Sequence, residues 1–222
     1  DENAPCSLTN FFVADPPLKQ VVAKSWEAGA LGPMRQGGWK IAWLLSAYRT
    51  VNANDIQYIA SQVRGRAYFQ NVGDTRRQGI EASLTATQGG LSAPLSYAYT
   101  DGTFRTAHVR TSPANPLAEA DGTIAIMRGD TLPGIPKHSA TLSLDYSAAL
   151  AGKRTWSVGA DIMGRSGQYL VGDEANLTPK TPGYILANIR AGLDVLRGVT
   201  LFGEVRNVFN RRYATFGTFS DV

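Results

Sequence analysis

Regular alternation of apolar and polar residues recurs eight times along the chain, and it constrains the fold more than any other feature. In residues 139–146, Ala, Leu, Leu and Tyr occupy the even positions, and Ser, Thr, Ser and Asp the odd ones. Because successive side chains of a β-strand point to opposite faces, each such segment predicts a strand with one apolar and one polar face. The predicted fold is therefore all-β and antiparallel. The alternating segments are residues 25–30, 39–48, 80–87, 95–100, 139–146, 156–163, 185–193 and 199–206.

Charge is absent from one of the two predicted faces. The apolar positions of these segments hold many Ala and Gly residues, with Trp and Tyr toward the segment ends. The inward face of a soluble β-sandwich is instead filled with bulky aliphatic side chains, so the pattern favours a lipid-facing surface with aromatic belts. The opposite face is predicted to carry the charges and to line a lumen. Its candidate lumen-facing or plug-facing residues are Glu81, Asp145, Asp161, Arg190, Glu204 and Arg206.

The connections between segments alternate between short and long. Four short connections fall at residues 33–38, 88–91, 148–153 and 194–198, and three long ones at residues 52–65, 106–133 and 169–182. All short turns would lie at one end of a barrel and all long loops at the other, as in bacterial outer-membrane barrels. We expect the stretch 106–133 to be extracellular and among the least ordered parts of the chain.

Composition is compatible with a membrane β-barrel. Mean hydropathy is −0.17, but a membrane strand needs only about 10 residues, of which every second one is apolar. The net charge of +4 is spread along the chain, without the basic block that suggests nucleic acid. The sequence shows no signal peptide at its start. Cys6 is the single cysteine, so it is unpaired or has a partner elsewhere; no metal site and no cofactor are expected.

Five stretches resemble motifs of TonB-dependent outer-membrane receptors. Residues 69–81 (FQNVGDTRRQGIE) resemble an "NVG-x-TRRxGxE" strand, and residues 132–138 (LPGIPKH) a "PG-x-P-x-H" strand entry. Residues 183–190 are similar to "GY-x-x-x-N-x-R", and residues 18–29 to "LKPE…YEAG". The most specific match is residues 202–213, which end in NVFNRRY and resemble "ENLFDRRY".

The resemblance implies a fold, a location and partners. Residues 1–222 would be a partial β-barrel domain: about eight strands of a barrel of roughly 22, with the plug domain, the TonB box and the last strand outside the chain. The protein would lie in the outer membrane of a Gram-negative bacterium, in contact with lipid and lipopolysaccharide. It would take up a ferric siderophore or a similar chelate, such as cobalamin, with energy from TonB.

Candidate ligand contacts are residues of the long loops: Arg105, His108, Arg110, Arg128 and Tyr169. Arg76 and Arg77 could meet lipopolysaccharide phosphates or lumen carboxylates. Two alternative functions are a passive porin and a soluble all-β binding module. A third alternative, a hydrolase using His138, Ser139 and Asp145, conflicts with alternation, because His138 points away from the face that Ser139 and Asp145 share. We therefore expect no enzyme.

Overall fold

The computed structural model describes residues 14–63, 66–152 and 154–219, so Cys6 lies outside the described residues. Within them, no helix is long and apolar enough to cross a membrane. The described residues contain twelve strands. These are β1 (Val22–Gln36), β2 (Trp39–Ala53), β3 (Ile56–Ala60), β4 (Ala67–Asn71), β5 (Thr75–Gln88), β6 (Leu91–Phe104), β7 (His108–Thr111), β8 (Thr123–Ile126), β9 (His138–Leu150), β10 (Arg154–Arg165), β11 (Tyr184–Leu196) and β12 (Val199–Val205).

Eight of these strands form one antiparallel sheet. Their order is β1-β2-β5-β6-β9-β10-β11-β12, so each strand pairs with the next long strand along the chain. The remaining strands form two hairpins, β3–β4 and β7–β8, within the long connections. The prediction of eight antiparallel strands is confirmed, and all of these strands except β12 are longer than their alternating segments.

The pairing register gives the sheet two chemically distinct faces. Leu142 lies opposite Leu95 on β6 and Ile162 on β10, and this side of the sheet is called the apolar face below. Asp161 lies opposite Ser143 and Asn188 on the other side, the polar face. The predicted apolar residues of all eight segments fall on the apolar face. The polar face is not uniformly polar, because it also carries exposed Leu31, Leu44 and Phe202.

The turns at one end of the sheet are tighter than the sequence suggested. We predicted a connection at residues 33–38, whereas β1 continues to Gln36 and only Gly37 and Gly38 form the turn. Both glycines have positive φ, +56° and +84°, as a two-residue hairpin of the I′ kind requires. Pro33 therefore lies within β1, opposite Ala42.

The long connections at the opposite end pack into a compact layer. Its core consists of Ile59, Val72, Phe104, Ile126 and Leu132, all at most 2% exposed. Phe104 ends β6 and the other four come from the long connections, so the layer joins these loops to one another and to the sheet. The expectation that residues 106–133 are among the least ordered was wrong. The stretch contains the β7–β8 hairpin and contributes to this core, because apolar burial stabilises it.

Candidate functional site

An ion cluster occupies the polar face across three neighbouring strands. Arg190 on β11 contacts Asp145 on β9 (Nη2–Oδ1, 2.5 Å) and Asp161 on β10. Ser143 also donates to Asp161 (2.5 Å). Gly159 lies between the partners, where an added Cβ would be 2.5 Å from Asp145 Oδ1 and 2.9 Å from Arg190 Nε. The glycine therefore provides the space that the guanidinium needs to reach both carboxylates.

The remaining predicted lumen charges lie near this cluster or farther along the polar face. Glu204 is opposite Arg190 in the register and accepts a hydrogen bond from Arg206 (2.9 Å). Glu81 lies opposite Ser46 and Ala98 and is exposed, without an ion pair among residues 14–63, 66–152 and 154–219. All six charges thus lie on the polar face, and five of them are on or directly after the strands β9 to β12. That this face meets a lumen or a plug stays a prediction.

A buried ion pair joins two of the long connections. Arg110 on β7 contacts Glu174 (Nη1–Oε1, 3.0 Å), and both side chains are 3% exposed. Arg110 also donates to Gln57 Oε1 (3.2 Å) and to the carbonyl of Tyr58 (3.0 Å). Burial lowers the pKa of Arg110, and the charge of Glu174 partly opposes that effect. Arg110 therefore holds three loop segments together.

Further hydrogen bonds reinforce this junction. Ser112 and Asn115 both donate to the carbonyl of Gly172, over 2.6 and 3.0 Å. Asp173 is fully buried, and its carboxylate accepts from the backbone nitrogens of Leu177 (2.8 Å) and Thr178 (3.0 Å). Charge-assisted bonds of this kind make the 169–182 loop a fixed structure.

The other candidate ligand residues differ in accessibility. His108 is half-buried against the ring of Phe104, and burial lowers its pKa. Its Nε2 is buried without a hydrogen-bond partner among the described residues. Tyr169 is partly covered by the Lys180 ammonium, 5.0 Å from its ring centre. Arg105 is half-buried and Arg128 is exposed. Ligand contact by any of the five stays a prediction, and the structure does not bring them together in one pocket.

Most residues that meet around an open space were not among the predicted sites; the exception is Arg206, which was predicted as a lumen-facing charge. A cleft of about 460 Å³ opens where the polar face meets the loop layer. Arg165 and Arg206 contribute two cationic groups to its lining. The rings of Tyr184 and Tyr213 pack against each other there, with centroids 4.8 Å apart. Cationic, aromatic and amide groups in one cleft can bind an anionic or catechol-like molecule.

Two of the quoted motifs meet at this cleft. Asn207 and Asn210 have positive φ, which asparagine tolerates better than most residues. The Asn207 side chain accepts from the backbone nitrogen of Arg211 (2.8 Å) and donates to its carbonyl (2.9 Å). The backbone nitrogen of Asn207 donates a hydrogen bond to Asn188 Oδ1 (2.8 Å). The recurrence of Asn, Arg and Tyr in these motifs was the signal that could have revealed the cleft.

The hydrolase constellation does not assemble. His138 lies on the apolar face opposite Tyr99, and its Nδ1 is 2.9 Å from the hydroxyl of Tyr97. Ser139 lies on the other face opposite Arg165, and Asp145 is engaged by Arg190. Across the described part of the chain, no group of three or more His, Cys, Asp or Glu residues is arranged to hold a metal ion.

Sequence comparison identifies receptors as relatives. The model of the family described as TonB dependent receptor-like, beta-barrel matches residues 2–208. Among curated proteins, the metal-pseudopaline receptor CntO of Pseudomonas aeruginosa is 26% identical over 197 residues. The match covers 86% of this chain and 24% of that receptor, so the chain spans about a quarter of the length of its relative.

Comparison of structures finds receptors with the same fold. The siderophore receptor PiuA from Acinetobacter baumannii aligns with a TM-score of 0.65 at 22% identity, over 89% of this chain and 26% of that one. The ferric preacinetobactin receptor BauA from the same organism aligns with a TM-score of 0.60 at 20% identity, over 86% and 26%. These receptors share the antiparallel architecture of the eight-stranded sheet, and none of the named relatives is an enzyme. The chain belongs to the TonB-dependent receptor β-barrel family and corresponds to part of such a barrel.

Proposed function

We propose that this chain forms part of the wall of an outer-membrane receptor that takes up a ferric siderophore or a similar metal chelate with energy from TonB. The observation that carries the proposal is the division of the sheet into two faces. Between its aromatic ends the apolar face is uncharged, while the polar face holds the Arg190 ion cluster. Lipid on one side and a hydrated lumen with a plug domain on the other account for both surfaces.

Sidedness and location follow from the same proposal. The protein lies in the outer membrane of a Gram-negative bacterium, with the loop layer outside the cell and the glycine-containing turns in the periplasm. Lipid and lipopolysaccharide surround the apolar face. Residues 1–222 act as a partial barrel domain within this assembly. The length of β2 supports a membrane crossing, because its apolar face is uncharged from Trp39 to Ala47 and a tilted membrane strand needs roughly 9–11 residues.

The ligand is proposed to bind on the extracellular side of the polar face. The relatives are named as receptors for metal-pseudopaline and ferric preacinetobactin, which supports a metal chelate as the class of substrate. The cleft with Arg165, Arg206 and Tyr213 offers groups that suit an anionic chelate. Arg105, Arg128 and Tyr169 could extend the contact from the loops. His108 and Arg110 would act by holding the loops in place.

Uptake by the full-length protein in cells tests the proposal. A strain lacking the gene is supplied with ⁵⁵Fe-loaded siderophores under iron limitation, with and without the full-length gene and with and without TonB. Accumulation that needs both the gene and TonB is the expected result. Accumulation that persists without TonB would favour the porin alternative. Absence of accumulation with every chelate tested would refute the proposed function.

A further inference from the structure

A group of basic residues lies on the apolar side of the sheet, just beyond its uncharged band at the long-loop end. We call Lys24, Arg49, Arg76 and Lys137 the rim cluster. Lys24 and Arg49 are exposed, and the side chain of Arg76 is 24% exposed. None of these residues lies in the cleft or in the ion cluster of the polar face. All four lie outside the alternating segments, because β1, β2 and β5 extend farther than the alternation and Lys137 precedes β9.

The register brings Lys24, Arg49 and Arg76 together on three adjacent strands, whereas Lys137 directly precedes β9. Val51 on β2 lies between Lys24 on β1 and Arg76 on β5. Arg49 is two residues from Val51 on the same face, so it is diagonal to both Lys24 and Arg76. Diagonal neighbours of this kind are roughly 7–8 Å apart, within reach of long side chains. Arg77, the neighbour of Arg76, points to the polar side, where it contacts Asp55 (3.5 Å).

The rim cluster has an excess of positive charge. Its carboxylate partner is Asp101, which contacts both Arg76 (3.0 Å) and Lys137 (3.3 Å). Lys24 and Arg49 have no ion pair among the residues that the structure describes. One carboxylate thus faces four cations, and two of the cations are exposed and unneutralised. Such an arrangement attracts an anion.

The rest of the apolar face differs from this rim. Directly beside the cluster, Trp26 lies opposite Arg49 and is 79% exposed. Near the short turns, the described strands place a single charged residue on this face, Arg154, whose Nε donates to the carbonyl of Ala151 (3.1 Å). The positive charge is therefore concentrated at one end of a surface that is otherwise apolar or aromatic.

We propose that the rim cluster binds the phosphate groups of a bisphosphorylated glycolipid, the lipid A of the outer leaflet. Acyl chains cover the apolar band, and the cations beyond it lie at the level of the lipid headgroups. Arginine offers paired donors to a phosphate, and lysine adds a flexible ammonium on an apolar stem. The inference rests on the proposed placement in the outer membrane, with the long loops outside, and not on the identity of the chelate.

Lipid titration of the full-length receptor tests the rim cluster. The receptor is placed in nanodiscs of zwitterionic lipid and titrated with bisphosphorylated lipid A, and bound lipid is counted by native mass spectrometry. Each cation near a membrane surface changes affinity about fivefold, so the double variant K24Q/R49Q should bind about 25-fold more weakly. The matched control is R35Q/K40Q, which removes the same charge from the polar face near the short turns and should bind as the parent does.

Two further arms keep the outcome unambiguous. Dephosphorylated lipid A should bind the parent and K24Q/R49Q equally, and K24R/R49K should retain most of the affinity for the phosphorylated form. Equal weakening in both double variants would mean that only net charge matters, and unchanged binding in K24Q/R49Q would mean that the cluster has no role; either overturns the inference. Chelate uptake by the parent is assayed separately, so absence of uptake together with intact lipid A binding would count against the proposed function alone.

Discussion

An arginine at Leu142 tests whether the apolar face meets lipid. Leu142 lies between Leu95 and Ile162 on the apolar face, away from both ends of β9. Truncation to alanine removes apolar contacts and should lower the free energy of unfolding by about 2 kcal/mol. Arginine near the bilayer midplane costs about 2–4 kcal/mol, so we expect L142R to be less stable than L142A by that amount.

The neighbouring Thr141 provides a matched control. It is on the same strand but on the polar face, opposite Ser96 and Met163. An arginine there can reach water, so T141R should change stability by less than about 1 kcal/mol. Ser143 is less suitable, since it donates to Asp161 and its replacement would also disturb the ion cluster.

Folding titrations of the full-length barrel in lipid vesicles measure these free energies. The parent, L142A, L142R and T141R are compared in urea, with folding followed by tryptophan fluorescence and by the gel shift of the folded barrel. Similar penalties for L142R and T141R would refute the assignment of the two faces. A penalty for L142R no larger than that of L142A would show that Leu142 does not contact lipid.

Three further predictions concern the ion cluster and the loop layer. G159A should destabilise the barrel by about 1–3 kcal/mol, because its Cβ would crowd Asp145 and Arg190; G203A, which has open space around the added Cβ, should be nearly neutral in the same urea titration. R110M leaves Glu174 buried without its partner and should cost the loop layer about 3–5 kcal/mol, seen as faster proteolysis of residues 108–126, whereas R128M at an exposed site should leave proteolysis unchanged. Since burial lowers the pKa of His108, its neutral form contributes stability that is fully present above the unfolded pKa of about 6.5 and is lost as pH falls through the lower folded value. Protection factors against hydrogen exchange in the loop layer should thus decrease below pH 6.5 in the parent and less so in H108F, and an identical pH dependence of the protection factors in both would exclude His108 as the cause.

Alternation was sufficient to predict the sheet. A strand with Leu142 on one side and Ser143 on the other has few alternatives, because a shift by one residue would exchange the two faces. The turn lengths then required consecutive strands to pair. The strand ends were less well predicted, since β1 continues through Pro33 and β5 begins at Thr75, where alternation is interrupted by charged and small residues.

The loop layer could not be predicted in the same way. Its core depends on contacts between residues such as Ile59, Phe104 and Ile126, which are far apart in the sequence; Ile59 and Ile126 lie in short strands, and Phe104 ends β6. Nothing local to Arg110 indicates that Glu174 neutralises it, so an arginine in a long loop looked like a ligand contact. The cleft beside Tyr213 likewise forms only when two separate motifs meet.

The most direct test of the account is the accessibility of the two ends of the sheet in living cells. In full-length protein with Cys6 replaced by serine, single cysteines are introduced at Ala120 and at Ala151. Ala120 is exposed in the loop layer, and Ala151 is exposed in a short turn. A membrane-impermeant maleimide should label A120C on intact cells and A151C only after the outer membrane is opened. Labelling of A151C but not A120C on intact cells, or of both equally, would contradict a sheet that crosses the outer membrane with its long loops outside.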